Sequence, residues 1–324
     1  MKDYLIEKLT NIDHSDILKK KKDEQLKQIY NKLSIEKVEE YNNLIYKDIS
    51  PENIIPTLQF VETTEEKELF DYYRNITSSV YQSNIPGRVV QILVYDTITT
   101  KYIGLLQLTV DLLVNKNKCD YFGINEKDYN RYKKKLRDSG ANISICIPLQ
   151  PFGFNFCGGK LLAMLAFSKE VYDYYYTRFN IKLKYLITLS LSGKSIQYSR
   201  LKQLKFVGYT AGCGLGHLSQ DIIDLMKIYL EETKTKNINR MSNHTITTHA
   251  IKQLDLPSDI IKHNQKRGIY IGVLGQQDFI KNKTDKDWIP DLIESVDTIY
   301  KAWLSKHALK RKQHLLTTDR FISR

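Results

Sequence analysis

Between Asn142 and His217 the chain gathers many of the side chains that could do chemistry. Thr188-Leu-Ser-Leu-Ser-Gly193-Lys194-Ser195 sets Ser190, Ser192, Ser195 and a lysine just after a strand-like run. A Gly-Lys-Ser that leaves a strand and opens a helix is the core of a phosphate-binding loop. That loop also needs an earlier glycine, and the position holds Thr188. A serine nucleophile on a strand-to-helix elbow would need Gly-x-Ser-x-Gly, which is missing, and His217 is the only histidine of the region. No paired carboxylates accompany the glycine-rich turns, which speaks against a metal-dependent nuclease. The four cysteines (Cys119, Cys146, Cys157 and Cys213) are scattered without a Cys-x-x-Cys pair, so no metal centre is expected; Cys157 and Cys213 fall in glycine turns.

The elements that must hold these residues follow from apolar periodicity. Eight of the fifteen glycines lie between Asn142 and His217, where backbone can approach a ligand or enter left-handed conformations. A continuous apolar strand is expected from Ile143 to Leu149, and a helix opening at Gly158-Gly159-Lys160 is expected to run to Arg178. A second strand is expected from Tyr185 to Leu191, a helix from Ser195 to Phe206, and another from Ser219 to Glu232. Upstream, a short strand from Thr57 to Glu62 precedes a helix with an acidic first turn at Thr63-Thr-Glu-Glu. Two strands joined by Asp96-Thr-Ile-Thr-Thr100 come next. A late strand spans Gly268 to Gly275, and an amphipathic helix and basic tail close the chain. The expected division is a helical arm at 1–50, an α+β domain at 51–275 and a basic helical extension at 276–324.

With 42% hydrophobic and 27% charged residues the chain has the make-up of a folded soluble protein. It shows no apolar run approaching the ~20 residues of a membrane span and no secretory leader at its start, which points to an intracellular protein. The net charge of +12 favours a polyanionic partner. Two local runs carry much of it. One is Lys133-Lys134-Lys135-Leu-Arg137; the other is the tail, where seven Lys/Arg and one acidic residue follow Tyr300, including Lys310-Arg311-Lys312.

The order of elements resembles the GNAT acetyltransferase fold, a mixed and mostly antiparallel sheet flanked by helices. That resemblance implies an acyl-coenzyme A whose pyrophosphate sits between the strand at 143–149 and the helix start at Gly158, Gly159 and Lys160, since free N–H groups at a helix N-terminus bind anions. The superfamily signature, Arg/Gln-x-x-Gly-x-Gly/Ala, is matched at Gln150 and Gly153 and fails at Asn155. Its usual general-acid tyrosine falls on Leu204, which leaves Tyr198 on the same expected helix to replace it. At finer grain, three stretches resemble the family of the Druantia anti-phage protein DruA, which also occurs in large DNA viruses and mobile elements. These are Gly158-Gly159-Lys-Leu-Leu-Ala163, the run from Thr188 through Gln197-Tyr198-Ser-Arg200-Leu, and Gly208-Tyr-Thr-Ala-Gly-Cys-Gly214. This second resemblance implies a viral or defence-related setting close to nucleic acid.

Two readings stay open. In one, the protein is a GNAT-fold module that binds nucleic acid through Lys133, Lys134, Lys135, Arg137, Lys194, Arg200, Lys202, Lys310, Arg311 and Lys312. In the other it is an N-acyltransferase using acetyl-coenzyme A. The cofactor would then lie against Gln150, Gly153, Gly158, Gly159 and Lys160, and an acceptor amine would enter over Ser190, Ser192 and Tyr198.

Overall fold

The structure, a computed structural model, describes the chain apart from residues 12–16, 79–86, 114, 192, 216–217, 236–237, 258–259, 261, 277–279, 281–287 and 324. Ser192 and His217 therefore lie outside the described residues. So does the side chain of Cys213.

Seven strands form one sheet: β1 (Pro56–Phe60), β2 (Val89–Asp96), β3 (Lys101–Val110), β4 (Gly140–Pro148), β5 (Tyr185–Leu189), β6 (Lys205–Leu215) and β7 (Lys262–Val273), in the order β1-β2-β3-β4-β5-β7-β6. The pairs β1/β2, β2/β3, β3/β4 and β5/β7 are antiparallel, whereas β4 and β5 run parallel. The α+β class with a mostly antiparallel sheet is the one expected from the sequence.

The central strands read as unbroken apolar runs because both faces are covered. Side chains alternate across a strand, so Ile92, Val94, Leu106 and Cys146 enter one core while Leu93, Leu105 and Ile145 enter another. The second core is closed by α3 (Ile35–Asn43) and α4 (Thr64–Thr77) through Tyr41, Leu69, Phe70 and Tyr73. Thr63 and Glu66 make a reciprocal capping box at the start of α4, which uses two of the backbone donors a helix start leaves free. The first core is built with α5 (Lys116–Tyr121), α6 (Tyr129–Arg137), α7 (Phe152–Phe156), α8 (Gly158–Leu165), α9 (Lys169–Phe179) and the C-terminal α12 (Val296–Trp303).

Compactness divides the described chain into two units, one holding Met1–Gln28 and Ala211–Lys266, the other Ile29–Thr210 and Arg267–Arg324. The first unit has its own apolar core. Leu5 and Leu9 of α1 (Lys2–Thr10) meet Ile223, Met226 and Leu230 of α10 (Gln220–Glu232) and Ile246, Ala250 and Ile251 of α11 (Asn243–Gln253) there.

Several stretches differ from expectation. The helix from Gly158 to Arg178 is two helices, because Ser168 is buried and caps α9 by accepting from Val171 N. The helix expected from Ser195 to Phe206 is instead a run of turns at 196–200 followed by β6. Arg200 there has φ 62°, a left-handed conformation that ends any helix. The glycine-rich stretch from Gly208 lies mostly within β6, and α11 adds a helix where none was expected.

Candidate functional site

Parallel pairing of β4 with β5 covers only Gly140–Asn142 against Tyr185–Ile187. Beyond that the strands part, and the carbonyls on the inner edge of β4 need other donors. Thr188 Oγ1 donates to Ile143 O at 2.9 Å, and Gln197 Nε2 donates to Cys146 O at 2.9 Å. The gap is thus filled by the turn segment that follows β5. Tyr198 is buried in it, with its hydroxyl bonded to Thr188 and Cys146, and burial pushes its phenol well above the ordinary value. Burial also pushes the Cys146 thiol up to about 12, although the Gln197 amide opposes this.

The same segment covers the start of α8. A Cβ on Gly159 would come within 2.9 Å of the Gln197 side chain, so only a glycine lets the amide lie across that helix turn. The Lys160 ammonium, next along, donates to Ser199 O at 2.5 Å. Of the expected acceptor residues, Tyr198 therefore lies in the segment that covers the expected cofactor residues Gly159 and Lys160. Gln150 caps α7, accepting from Phe154 N at 3.0 Å. Gly153 lies on that short helix, close under Pro148 and the Gln150 amide. Ser190 is buried. Its hydroxyl donates to Gly193 O and accepts from Gly268 N at 3.1 Å, which fixes the turn where Gly193 (φ 62°) bends the chain. Ser195 N donates to Tyr270 OH at 2.8 Å and no helix begins there, so Gly193-Lys194-Ser195 lacks the helix N-terminus of a phosphate loop.

At the open end of the gap, cations converge. The C-terminal helix continues from α12 through a π-helical turn (Leu304–Ala308) into α13 (Leu309–Thr317). Its Trp303 Nε1 donates to Cys157 O at 3.2 Å, just before α8. This brings Lys306, His307, Lys310 and Arg311 toward Lys160 and Arg200. Burial lowers the Lys160 pKa; Cys157 pulls it back up, and Arg200 adds a smaller lowering. Burial likewise holds His307 below its ordinary value, reinforced by the charges of Lys160, Lys306 and Lys310. Arg311 stacks over the Phe154 ring at 4.8 Å and donates to Phe154 O at 3.3 Å. Lys312 turns away to Glu52 at 3.2 Å.

Of the basic residues singled out in sequence, Arg200 acts on Lys160, which had been assigned to the cofactor, while Arg311 reaches Phe154 of α7 and Lys310 follows His307 on the C-terminal helix. Lys194 and Lys202 are exposed on the same turn segment, Lys194 lying 4.9 Å above the Phe206 ring. Lys133, Lys134, Lys135 and Arg137 sit on α6, before the first residue of β4, while α8 follows its last. A nine-residue strand spans about 30 Å, so these are two patches rather than one. Gln197, Lys306 and His307 escaped the sequence reading. For Lys306 a usable signal was present, since seven Lys/Arg and one acidic residue follow Tyr300; the separate run 174–220, which holds Arg200, contains seven Lys/Arg and no Asp or Glu.

A second polar cluster lies at the paired end. Lys118 and Asp111 form a fully buried ion pair; Lys118 also donates to Leu113 O at 3.1 Å, and Tyr185 OH donates to Asp111 at 2.6 Å. Among the described residues no group of three or more His, Cys, Asp or Glu could hold a metal ion, and no helix is long and apolar enough to cross a membrane.

The model of the family described as Druantia protein DruA matches residues 2–281. The chain belongs to the DruA family. A curated relative, Druantia protein DruA of Escherichia coli (strain UMEA 4076-1), is 25% identical over 261 residues, covering 71% of this chain and 61% of the relative. The chain thus spans about three fifths of that DruA protein's length. No solved structure matches the chain. The three stretches that carry the DruA resemblance in sequence are the start of α8, the segment filling the gap, and β6.

Proposed function

We propose that this DruA-family chain binds nucleic acid in a phage-defence or viral setting, holding the phosphate backbone at the open end of the β4/β5 gap. The observation that carries this reading is the set of cations around the start of α8: Lys160 bonds to Ser199 O next to Arg200, Arg311 bonds to Phe154 O, and Lys306 and Lys310 lie on the C-terminal helix that Trp303 ties to Cys157 O, beside a stretch of chain without acidic residues. Like charges gathered at a partly buried site repel one another, and a polyanion relieves that repulsion. Phosphate neutralisation releases counterions, so affinity must fall steeply with salt.

Titrating labelled duplex and single-stranded DNA between low and physiological salt tests the reading. The wild-type chain should show a linear fall of log K with log salt. Replacing Arg200, Lys306 and Lys310 together by alanine should reduce the slope by about three. Absence of binding to either form at low salt removes the reading.

The parting of β4 and β5 also supports a second reading, an acyl-coenzyme A N-acyltransferase with its cofactor at Gly158, Gly159 and Lys160. In that reading residues 197–199 must leave the gap before the cofactor enters. A raised melting temperature with millimolar acetyl-coenzyme A is the expected sign, and an unmoved one counts against it.

A further inference from the structure

The turn segment that fills the gap also carries a feature that filling does not require. Ile196 is 84% exposed, the most exposed of the large apolar side chains among the described residues. Its neighbours hold it in that position. Ser195 N is tied to Tyr270 OH at 2.8 Å, Gln197 Nε2 to Cys146 O at 2.9 Å, and Ser199 Oγ to Ser195 O at 2.7 Å. Ile196 is therefore the tip of an anchored turn and not a side chain on a loose loop. Exposed cations flank it at Lys194, Arg200 and Lys202. A second exposed apolar side chain, Leu191, precedes it, at 55%.

An isolated apolar residue on a surface is ordinary. A rigid apolar tip surrounded by positive charge, in a stretch with no carboxylate, suits a surface that is negatively charged outside and apolar within. Duplex DNA has that make-up, with phosphates on the rim and base stacks between them. We propose that Ile196 acts as a wedge that enters between base pairs of a bound duplex while Lys194, Arg200 and Lys202 hold the flanking phosphates. The inference rests on the nucleic-acid reading above and deepens it: the protein would bend the duplex it binds.

The test uses the full chain and a short duplex carrying 2-aminopurine at successive positions, with a donor–acceptor pair at its ends. Wild-type protein should raise 2-aminopurine fluorescence at one step and shorten the end-to-end distance. Ile196→Ala should keep the wild-type melting temperature and salt slope, lose both signals, and weaken binding about tenfold. Ile196→Phe should restore them. Wild-type binding without unstacking or bending overturns the wedge and leaves the nucleic-acid reading standing, as does an Ile196→Ala variant that distorts DNA like the wild type. Loss of a concentration-dependent dimer in Ile196→Asp, with DNA binding unchanged, would assign the tip to a second copy of the chain and also overturn it. No binding by the wild type at low salt removes the reading beneath it.

Discussion

Where β4 and β5 pair, at Gly140–Asn142 and Tyr185–Ile187, the space beside them is closed by a full charge pair, Lys118 with Asp111, completed by Tyr185. Where the strands part, the space is closed by neutral groups, the amide of Gln197 and the phenol of Tyr198, and the charges stand at the mouth. Both ends satisfy their buried polar atoms, but by different means. An ion pair withdrawn from water locks its surroundings, because losing either partner leaves a naked charge. A neutral plug can be withdrawn without leaving a naked charge, at the cost of ordinary hydrogen bonds and of the burial of Tyr198. The first end is made to stay shut. The second can yield, and it is the end that carries the cations.

The sharpest way to break this contrast is at the ion pair. Asp111→Ala strands the Lys118 ammonium and should lower stability by about 3–5 kcal/mol in urea denaturation. A loss below 1 kcal/mol would mean that the pair is hydrated and the two ends are alike. Gly140→Ala comes next. Its methyl would overlap the Tyr185 ring, and the expected cost of overpacking is about 1–3 kcal/mol.

At the open end the expected effects are smaller. Gln197→Ala removes the bond to Cys146 O and should cost about 1 kcal/mol. Its clearer sign is chemical. With its pKa pushed up to about 12, the Cys146 thiol should resist a disulfide reagent at neutral pH, because the thiolate is the reactive form. Opening the plug should speed its labelling. An unchanged rate would show that Gln197 does not guard the gap.

The smallest effect is in pH. His307 has a folded-state pKa below its ordinary value, so between the folded and the unfolded value the unfolded chain holds the extra proton. Stability from this group is present above about 6.5 and is lost as pH falls toward the folded value. His307→Gln should flatten that decline. If DNA binds as proposed, its phosphates offset the repulsion from Lys160, Lys306 and Lys310, so binding should take up a proton in the same range, as buffer-dependent calorimetry would show.

Much of the sheet was legible because its central strands are covered on both faces, which writes them as apolar runs such as Val89–Tyr95 and Ile143–Leu149. The acidic first turn at Thr63-Thr-Glu-Glu likewise announced α4, where the structure adds a capping box between Thr63 and Glu66. The segment after β5 was misread because Ile196, Leu201 and Leu204 fall near helical spacing, whereas the backbone follows tertiary demands. Tyr270 takes the Ser195 N–H, β4 takes the Gln197 amide, and Arg200 turns left-handed. No local pattern records partners so far away in sequence. The cationic mouth was legible in its parts, as Arg200, Lys310 and Arg311. Its assembly depends on Trp303 bonding to Cys157 O, across 146 positions.

The chain leaves the larger unit after Thr210 and returns at Arg267, whose N–H donates to Thr210 Oγ1 at 3.1 Å. Departure and return are thus one hydrogen bond apart, so residues 211–266 form a cassette spliced into a doorway that a short hairpin could close. Its core borrows Leu5 and Leu9 from the amino terminus, so the two pieces would have to be exchanged together. Exchanging that cassette would touch the sheet only where β6 and β7 run on into it.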